Sequence, residues 1–176
     1  MLNTGDIAPK FNTQDIWGNQ VSSSKTNKWV YLSFHRFAAC PFCNLRTNEL
    51  INAYDKFLLL DIEILSIWPS KTENMLRYIG NKISPFPLIS DPGKKIFEQY
   101  AVCNSSKKAA LRLLFHPKLI FNAMKNKYKN MEVDADPNLM PAGFLIDPSG
   151  EVKLAYYGKH FGDHIAIDRI FQQVKL

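Results

Sequence analysis

Long apolar runs are missing from this sequence, and nothing in it approaches the roughly 18–20 residues of a membrane span. Its first residues, Met1-Leu2-Asn3-Thr4-Gly5-Asp6, lack the basic start and apolar stretch of an export signal. Cysteine is scarce: three in 176 residues are too few, and too unevenly placed, for a secreted disulfide framework. Together these absences predict a cytoplasmic protein. Glycine (8) and proline (10) are sparse as well, which excludes collagen-like and low-complexity chains. With 46% hydrophobic and 22% charged residues, disorder is also excluded. A chain of this length buries about 70% of its unfolded surface. It fits a single domain over residues 1–176.

Acidic residues are absent from 103–131, which holds Lys107, Lys108, Arg112, Lys118, Lys125, Lys127 and Lys129. The net charge is +6, so the rest of the chain sums to −1. The basicity therefore belongs to one segment. That segment has no basic run interleaved with aromatics and no nucleic-acid motif, so no nucleic-acid partner is expected. A solvated helical face or a docking surface, including one for a homodimer, fits it better.

Periodicity gives the rest of the layout. Trp29–Phe34 and Ile62–Trp68 are near-continuous apolar runs, as expected for strands covered on both faces. Between them Thr47, Leu50, Ile51, Tyr54 and Leu58 recur at helical spacing, which predicts a parallel strand–helix–strand unit. A short helix follows over Thr72–Ile79, closed by Gly80. Then come an extended stretch at Phe86–Ser90 and a helical one at Gly93–Tyr100. The basic segment holds two helical pieces divided at Pro117. The second piece places Ile120, Ala123, Met124 and Tyr128 on one side. Gly143–Asp147 and Glu151–Tyr157 form a hairpin about Pro148-Ser149-Gly150. A last helix opens near Asp163, with Ile167, Ile170, Phe171 and Val174 as its apolar stripe. The sum is an α/β fold, a mixed sheet with helices on both faces.

The chemistry centres on Cys40-Pro41-Phe42-Cys43, where the first strand unit passes into its helix. Pro41 suits the first helical position, which makes Cys40 the N-cap. A sulfur there faces free N–H groups and the positive helix end, which lowers a thiol pKa from about 8.5 to between about 3.5 and 7.5. Cys43 lies one turn further in, less exposed and less acidic, and close enough to bridge. Cys40 is thus the attacking thiol and Cys43 the resolving one. Inert structural cysteines and half of a zinc site are the competing readings. Zinc needs two more ligands, and Cys103, His116, His160 and His164 are scattered, so no metal is expected.

A CxxC at a strand-to-helix junction resembles the thioredoxin fold. Gly5-Asp6-Ile7-Ala8-Pro9-Lys10-Phe11, with Asp15-Ile16-Trp17-Gly18, resembles the N-terminal signature of the alkyl hydroperoxide reductase/thiol-specific antioxidant superfamily, the peroxiredoxins. Phe86–Gly93 and Tyr100-Ala101-Val102 resemble the same superfamily's middle strand and helix. The run Phe34–Cys43, with Arg36 four residues before Cys40, resembles its CPFC-bearing branch, as do Pro141–Gly150 and Tyr157–His164. The resemblance implies a thioredoxin-like sheet with a peroxiredoxin-type N-terminal extension. A helical insertion lies at about 103–138.

It also implies a thiol-dependent peroxidase without a bound cofactor, regenerated by a thioredoxin, a glutaredoxin or glutathione. Two departures stand out. Peroxiredoxins carry a threonine or serine three residues before the reactive cysteine, and here that residue is Phe37. Thioredoxin has an acid six residues before its first cysteine, and here that residue is Phe34. A disulfide reductase and a redox-silent binding module therefore stay open.

Around the cysteines, Arg36 is expected to stabilise the Cys40 thiolate and the charge developing on a peroxide. His35 is a candidate proton shuttle, but adjacent strand-end residues point oppositely, which favours Arg36 as the group serving Cys40. The resemblance makes Pro41, Phe42, Met140 and Pro141 the substrate-binding positions, with Pro141 preceded by a cis bond. His160 and His164 are read as a loop and a first-turn histidine, and Cys103 as a plain buried thiol.

Overall fold

A computed structural model describes residues 1–24, 27–79, 84–102, 112–125 and 131–174. Gly80, Cys103, Lys107, Lys108, Lys127, Tyr128 and Lys129, and with them much of the expected basic insertion, lie outside the described residues.

Among the described residues, seven strands are formed: β1 (Asn12–Gln14), β2 (Gln20–Ser22), β3 (Trp29–Phe34), β4 (Ile62–Trp68), β5 (Leu88–Ser90), β6 (Ala142–Ile146) and β7 (Val152–Tyr157). Among the described residues, six helices accompany them: α1 (Pro41–Asn52), α2 (Tyr54–Leu59), α3 (Thr72–Tyr78), α4 (Lys95–Gln99), α5 (Pro117–Lys125) and α6 (Ile167–Val174). Five strands pair in the order β5-β4-β3-β6-β7; β5, β4 and β3 are parallel to one another, and β6 pairs antiparallel with both β3 and β7.

Side-chain alternation explains why β3 and β4 read as continuous apolar runs. Val30, Leu32 and Phe34 point to one face with Leu65 and Ile67, where Phe97 of α4, Tyr100 and Phe11 cover them. Tyr31, Ile62, Ile64 and Trp68 point to the other, under Leu50 of α1, Phe57 of α2 and Phe171 of α6. The β1–β2 hairpin forms the N-terminal extension. It is tied to the main sheet at both edges, through Ile7 to Glu151 and Asp15 to Ile89.

Two sequence expectations are corrected. The single helix expected between β3 and β4 is broken at Ala53 (φ −97°, ψ 2°). The break turns Phe57 onto the sheet instead of Leu58, which is 55% exposed. The last helix starts at Ile167, not near Asp163. The Asp163 carboxylate instead accepts the Lys159 N–H and the Tyr156 hydroxyl, each at 2.7 Å, so it closes its own loop and caps no helix. In the insertion, α5 opens on Pro117 as expected, but only part of its apolar side is covered. Ala123 is buried while Met124 and Phe121 are exposed.

Candidate active site

The loop from β3 into α1 carries the candidate residues, and short-range polar contacts fix its path. The His35 N–H continues the sheet by donating to Ile67 O at 2.9 Å. Ala38 N–H donates to Ser70 Oγ at 2.8 Å. Asn44, one turn into α1, reaches back with Nδ2 to Ala38 O at 2.7 Å and Cys40 O at 2.9 Å. Cys40 is the extended N-cap residue (φ −64°, ψ 119°) and Pro41 stands at the helix start. Both cysteines are free thiols, and both are buried. The expectation that Cys40 is the more exposed of the two is therefore corrected: Phe37, Ala38 and Ala39 pack into the same core cluster.

Three groups act on Cys40. Its thiol hydrogen-bonds with that of Cys43. The Arg36 Nη1 lies 3.5 Å from its Sγ. The backbone N–H groups of Cys43 and Phe42, at the helix start, add to these. Burial alone would push the Cys40 thiol up. The Cys43 hydrogen bond, the Arg36 charge and the two amides outweigh burial and bring it down to about 7. Cys43 goes the other way. Burial, its hydrogen bond to Cys40 and the charge there hold its thiol well above the usual cysteine range. Its sulfur also accepts the Arg36 backbone N–H at 3.3 Å.

Arg36 is buried and held by main-chain oxygens. Nε donates to Leu139 O at 2.9 Å, Nη2 donates to Pro137 O, and the guanidinium lies 4.0 Å from the Phe161 ring centroid. The 131–139 segment that supplies those carbonyls is tied down in turn. Asp134 accepts from Ser70 Oγ and Asn74 Nδ2, both at 2.8 Å, and Glu132 pairs with Arg77 at 3.2 Å.

Of the other expected positions, Phe42 is half-buried beside Gly162. A Cβ on Gly162 would stand 2.9 Å from the Phe42 ring and 2.8 Å from Leu119 of α5, so the insertion helix closes over this point. Pro141 immediately precedes β6, where Ala142 lies opposite Phe34, and Met140 precedes it. The Met140–Pro141 bond is trans, which corrects the cis expectation. Trans is the ordinary preference by about 0.5–1 kcal/mol. The trans chain places the carbonyls on both sides of Met140: Leu139 O takes Arg36 Nε, and Pro141 O takes the Gly158 N–H at 2.9 Å.

The fold also brings together residues that looked scattered. His35 is fully buried and stacked on Trp68, ring centroids 4.0 Å apart and planes at 5°. A His35 nitrogen, the Cys43 sulfur and a His164 nitrogen all lie within 4.8 Å of one another. Strand alternation gave the direction, since His35 continues the Tyr31–Ser33 face. His164 sits 121 positions beyond Cys43 on a loop, and nothing local in the sequence pairs them.

Known proteins match this arrangement. The AhpC/TSA family model matches residues 4–155. The chain belongs to the AhpC/TSA family. Among curated members it is 30% identical over 102 residues to the peroxiredoxin Bcp of Escherichia coli K12, covering 57% of this chain and 65% of that protein. It is 28% identical over 118 residues to peroxiredoxin 2 of Thermoplasma acidophilum, covering 63% and 59%. The matched segments thus span about two thirds or less of these relatives. Among solved structures, peroxidoxin BcpB of Mycobacterium tuberculosis superposes with a TM-score of 0.72 at 16% identity, over 99% of this chain and 97% of that one. A 2-Cys peroxiredoxin of Plasmodium vivax gives 0.71 at 18%, over 98% and 80%. These likenesses show the thioredoxin-type fold, with its AhpC/TSA extension.

Proposed function

We propose that this family member is a thiol-dependent peroxidase that uses Cys40 and Cys43 as a dithiol. The observation that carries the reading is the Arg36 guanidinium, 3.5 Å from the sulfur of the N-cap residue, whose thiol is lowered to about 7. Such a sulfur is about half thiolate at neutral pH, far more than an ordinary cysteine, and the thiolate is the nucleophile. The Cys40 sulfur attacks one peroxide oxygen and the O–O bond breaks. Two electrons pass from sulfur to the peroxide, which leaves as an alcohol or water once protonated. Arg36 stabilises the charge developing on the leaving oxygen. Cys40 becomes a sulfenic acid. Cys43 then attacks that sulfur, and a disulfide and water form. A thioredoxin, a glutaredoxin or glutathione returns two electrons by thiol–disulfide exchange.

One observation favours a second reading, exchange with disulfides in place of peroxides. The ring of Phe37, which stands where peroxiredoxins carry a hydroxyl, is buried in the core cluster. No hydroxyl at that position holds a peroxide oxygen. The deciding experiment mixes fully reduced protein with about one equivalent of hydrogen peroxide, quenches rapidly by alkylation and maps the products by peptide mass. Rapid conversion to a Cys40–Cys43 disulfide, far faster than a free thiol at the same pH, supports the peroxidase. A rate no better than that of a free thiol moves the assignment to disulfide exchange. Replacing both cysteines by serine separates either redox role from pure docking, because only docking survives.

A further inference from the structure

We propose that His35, assisted by His164, takes the proton from the Cys43 thiol when Cys43 attacks the oxidised Cys40. The inference rests on Cys43 being the resolving thiol. In the reduced site the Cys43 proton has an acceptor, the Cys40 sulfur to which it hydrogen-bonds. Oxidation of Cys40 removes that thiolate just when Cys43 must lose its proton to attack. The acceptors gathered within 4.8 Å of its sulfur are ring nitrogens of His35 and His164. That span closes through one water or a small rotation of the thiol, as for many catalytic hydrogen bonds before the reacting complex forms.

Both imidazoles are free for the task. Neither Nδ1 nor Nε2 of His35 has a hydrogen-bond partner, although both are buried, and the same is true of His164 Nε2. Unpartnered buried polar atoms are costly, and they persist where chemistry or a ligand uses them. The stack on Trp68 fixes the His35 ring plane, and the His35 and His164 rings lie 5.6 Å apart, centre to centre. His164 also lines a cleft of about 380 Å³, with Phe42, Arg46, Glu49 and Leu119, that opens a path to solvent.

Burial first, and then the charges facing the pair, keep it neutral. Burial, and then the Arg46 charge from α1, hold His35 well below its ordinary value. For His164, burial is followed by Arg46, His35, His160 and Arg36. A neutral imidazole accepts a proton, whereas an imidazolium does not. The transferred proton leaves with the departing hydroxide as water, so imidazolium need not accumulate. The Cys43 S–H bond breaks and the Cys40–Cys43 S–S bond forms. The sulfenic C–S–O–H loses hydroxide, which takes the proton relayed through the ring.

The test isolates this step and needs no peroxide. Reduced protein in a Cys103→Ser background is treated with methyl methanethiosulfonate, a small reagent that leaves a methylthio group on Cys40 as methanesulfinate departs. Attack by Cys43 then expels methanethiol, and the mass loss is timed against pH. The wild-type site is expected to resolve at a rate nearly flat from about pH 6 to about pH 8, because the histidine stays deprotonated there. The His35→Gln variant is expected to resolve at least about tenfold more slowly near neutrality, since a positioned base contributes about 10²–10⁴-fold. Its rate should climb about tenfold per pH unit, and added imidazole should restore part of it. A smaller loss with the same pH slope is expected for His164→Gln.

Methylthiolation of Cys40, timed in the same samples, reports whether each variant keeps its site. Should His35→Gln fail to fold, the wild-type profile and His164→Gln still decide. A wild-type rate that itself climbs tenfold per unit, or variants that keep the flat profile, would overturn the proposal. Stoichiometric zinc held by the reduced wild-type protein and lost in both variants would also overturn it, by making the nitrogens metal ligands. A histidine-dependent resolution in a protein inert to peroxide would leave the relay standing and sink only the peroxidase reading.

Discussion

Two buried arginines flank the cysteine pair, and they are held in opposite ways. Arg36 and Arg46 are 6% and 3% exposed. Arg46 is paired: Nη1 meets Glu49 at 3.2 Å and Nη2 donates to the Tyr31 hydroxyl at 3.1 Å. Arg36 has no carboxylate partner among the described residues, and its forks go to two main-chain carbonyls, an aromatic face and the Cys40 sulfur. A carbonyl orients a guanidinium without neutralising it. The charge of Arg36 helps to lower the Cys40 thiol and is the last of the charges acting on His164, while burial first and then the Arg46 charge hold both histidines low. One cation acts chiefly on the thiol, and the other adds to the burial that already holds the histidines low.

The sharpest way to break this contrast is to remove the unpaired charge. Arg36→Met is expected to slow peroxide oxidation of Cys40 by about 10²–10³-fold, the usual loss for one donor to developing charge. The thiol titration, followed by thiolate absorbance, should move upward from about 7. Arg36→Lys keeps charge but loses the fork, and is expected to recover only part of the rate. A rate for Arg36→Met within about threefold of wild type would show that the charge is not reserved for the sulfur.

A pH profile sharpens the same point without a mutation. Cys40 is lowered to about 7 and reacts as the anion, so its oxidation rate should be level above that pH. Below it the rate should fall about tenfold per unit as the thiol protonates. Linkage has the same sign. A depressed thiol adds stability to the reduced protein that is present above its unfolded pKa, about 8.5, and is lost as pH falls through about 7.

The paired arginine should answer differently. Arg46→Met removes the Tyr31 and Glu49 contacts but keeps an apolar stem, so about 1–2 kcal/mol of stability is the expected loss in denaturant titration. Oxidation of Cys40 should change by no more than about threefold. The His35 and His164 imidazoles should titrate higher once the nearby charge is gone, which NMR of the ring protons would read. If Arg46→Met instead stops oxidation as Arg36→Met does, the two arginines form one electrostatic unit and the contrast fails.

The sequence made one side of this contrast readable and hid the other. Strands β3 and β4 match their apolar runs residue for residue, because burial on both faces leaves an unbroken signal. Cys40 at the cap, Pro41 behind it and Arg36 nearby are local features, and local spacing describes them. Arg46 carries no local signal of its own, since its burial depends on Tyr31 lying beneath α1. His164 and the 131–139 carbonyls reach the site through loops, and loop paths follow from tertiary contacts that no periodicity encodes. The break at Ala53 escaped for a related reason. Helical spacing runs through it, and only the fit of Phe57 to the sheet selects the kink.

The smallest predicted effect concerns what holds Arg36 still. Its two carbonyl partners belong to a segment fastened by Asp134, whose carboxylate accepts from Ser70 and Asn74 at 2.8 Å each. Ser70 also accepts the Ala38 N–H at 2.8 Å, so one hydroxyl links the Arg36-holding segment to the cysteine loop. Asp134→Ala removes two hydrogen bonds at a half-buried position, and about 1 kcal/mol is the expected loss of stability. Arg36 keeps its charge but is less firmly aimed, so oxidation of Cys40 should slow by only about twofold to fivefold. Alkylation of Cys40 by a bulky reagent should speed up in the same variant, because the covering segment is loosened. Slower oxidation together with faster alkylation separates aim from access. If both rates rise together, the segment acts as a cover, and the carbonyls on Arg36 are incidental to how it meets the sulfur.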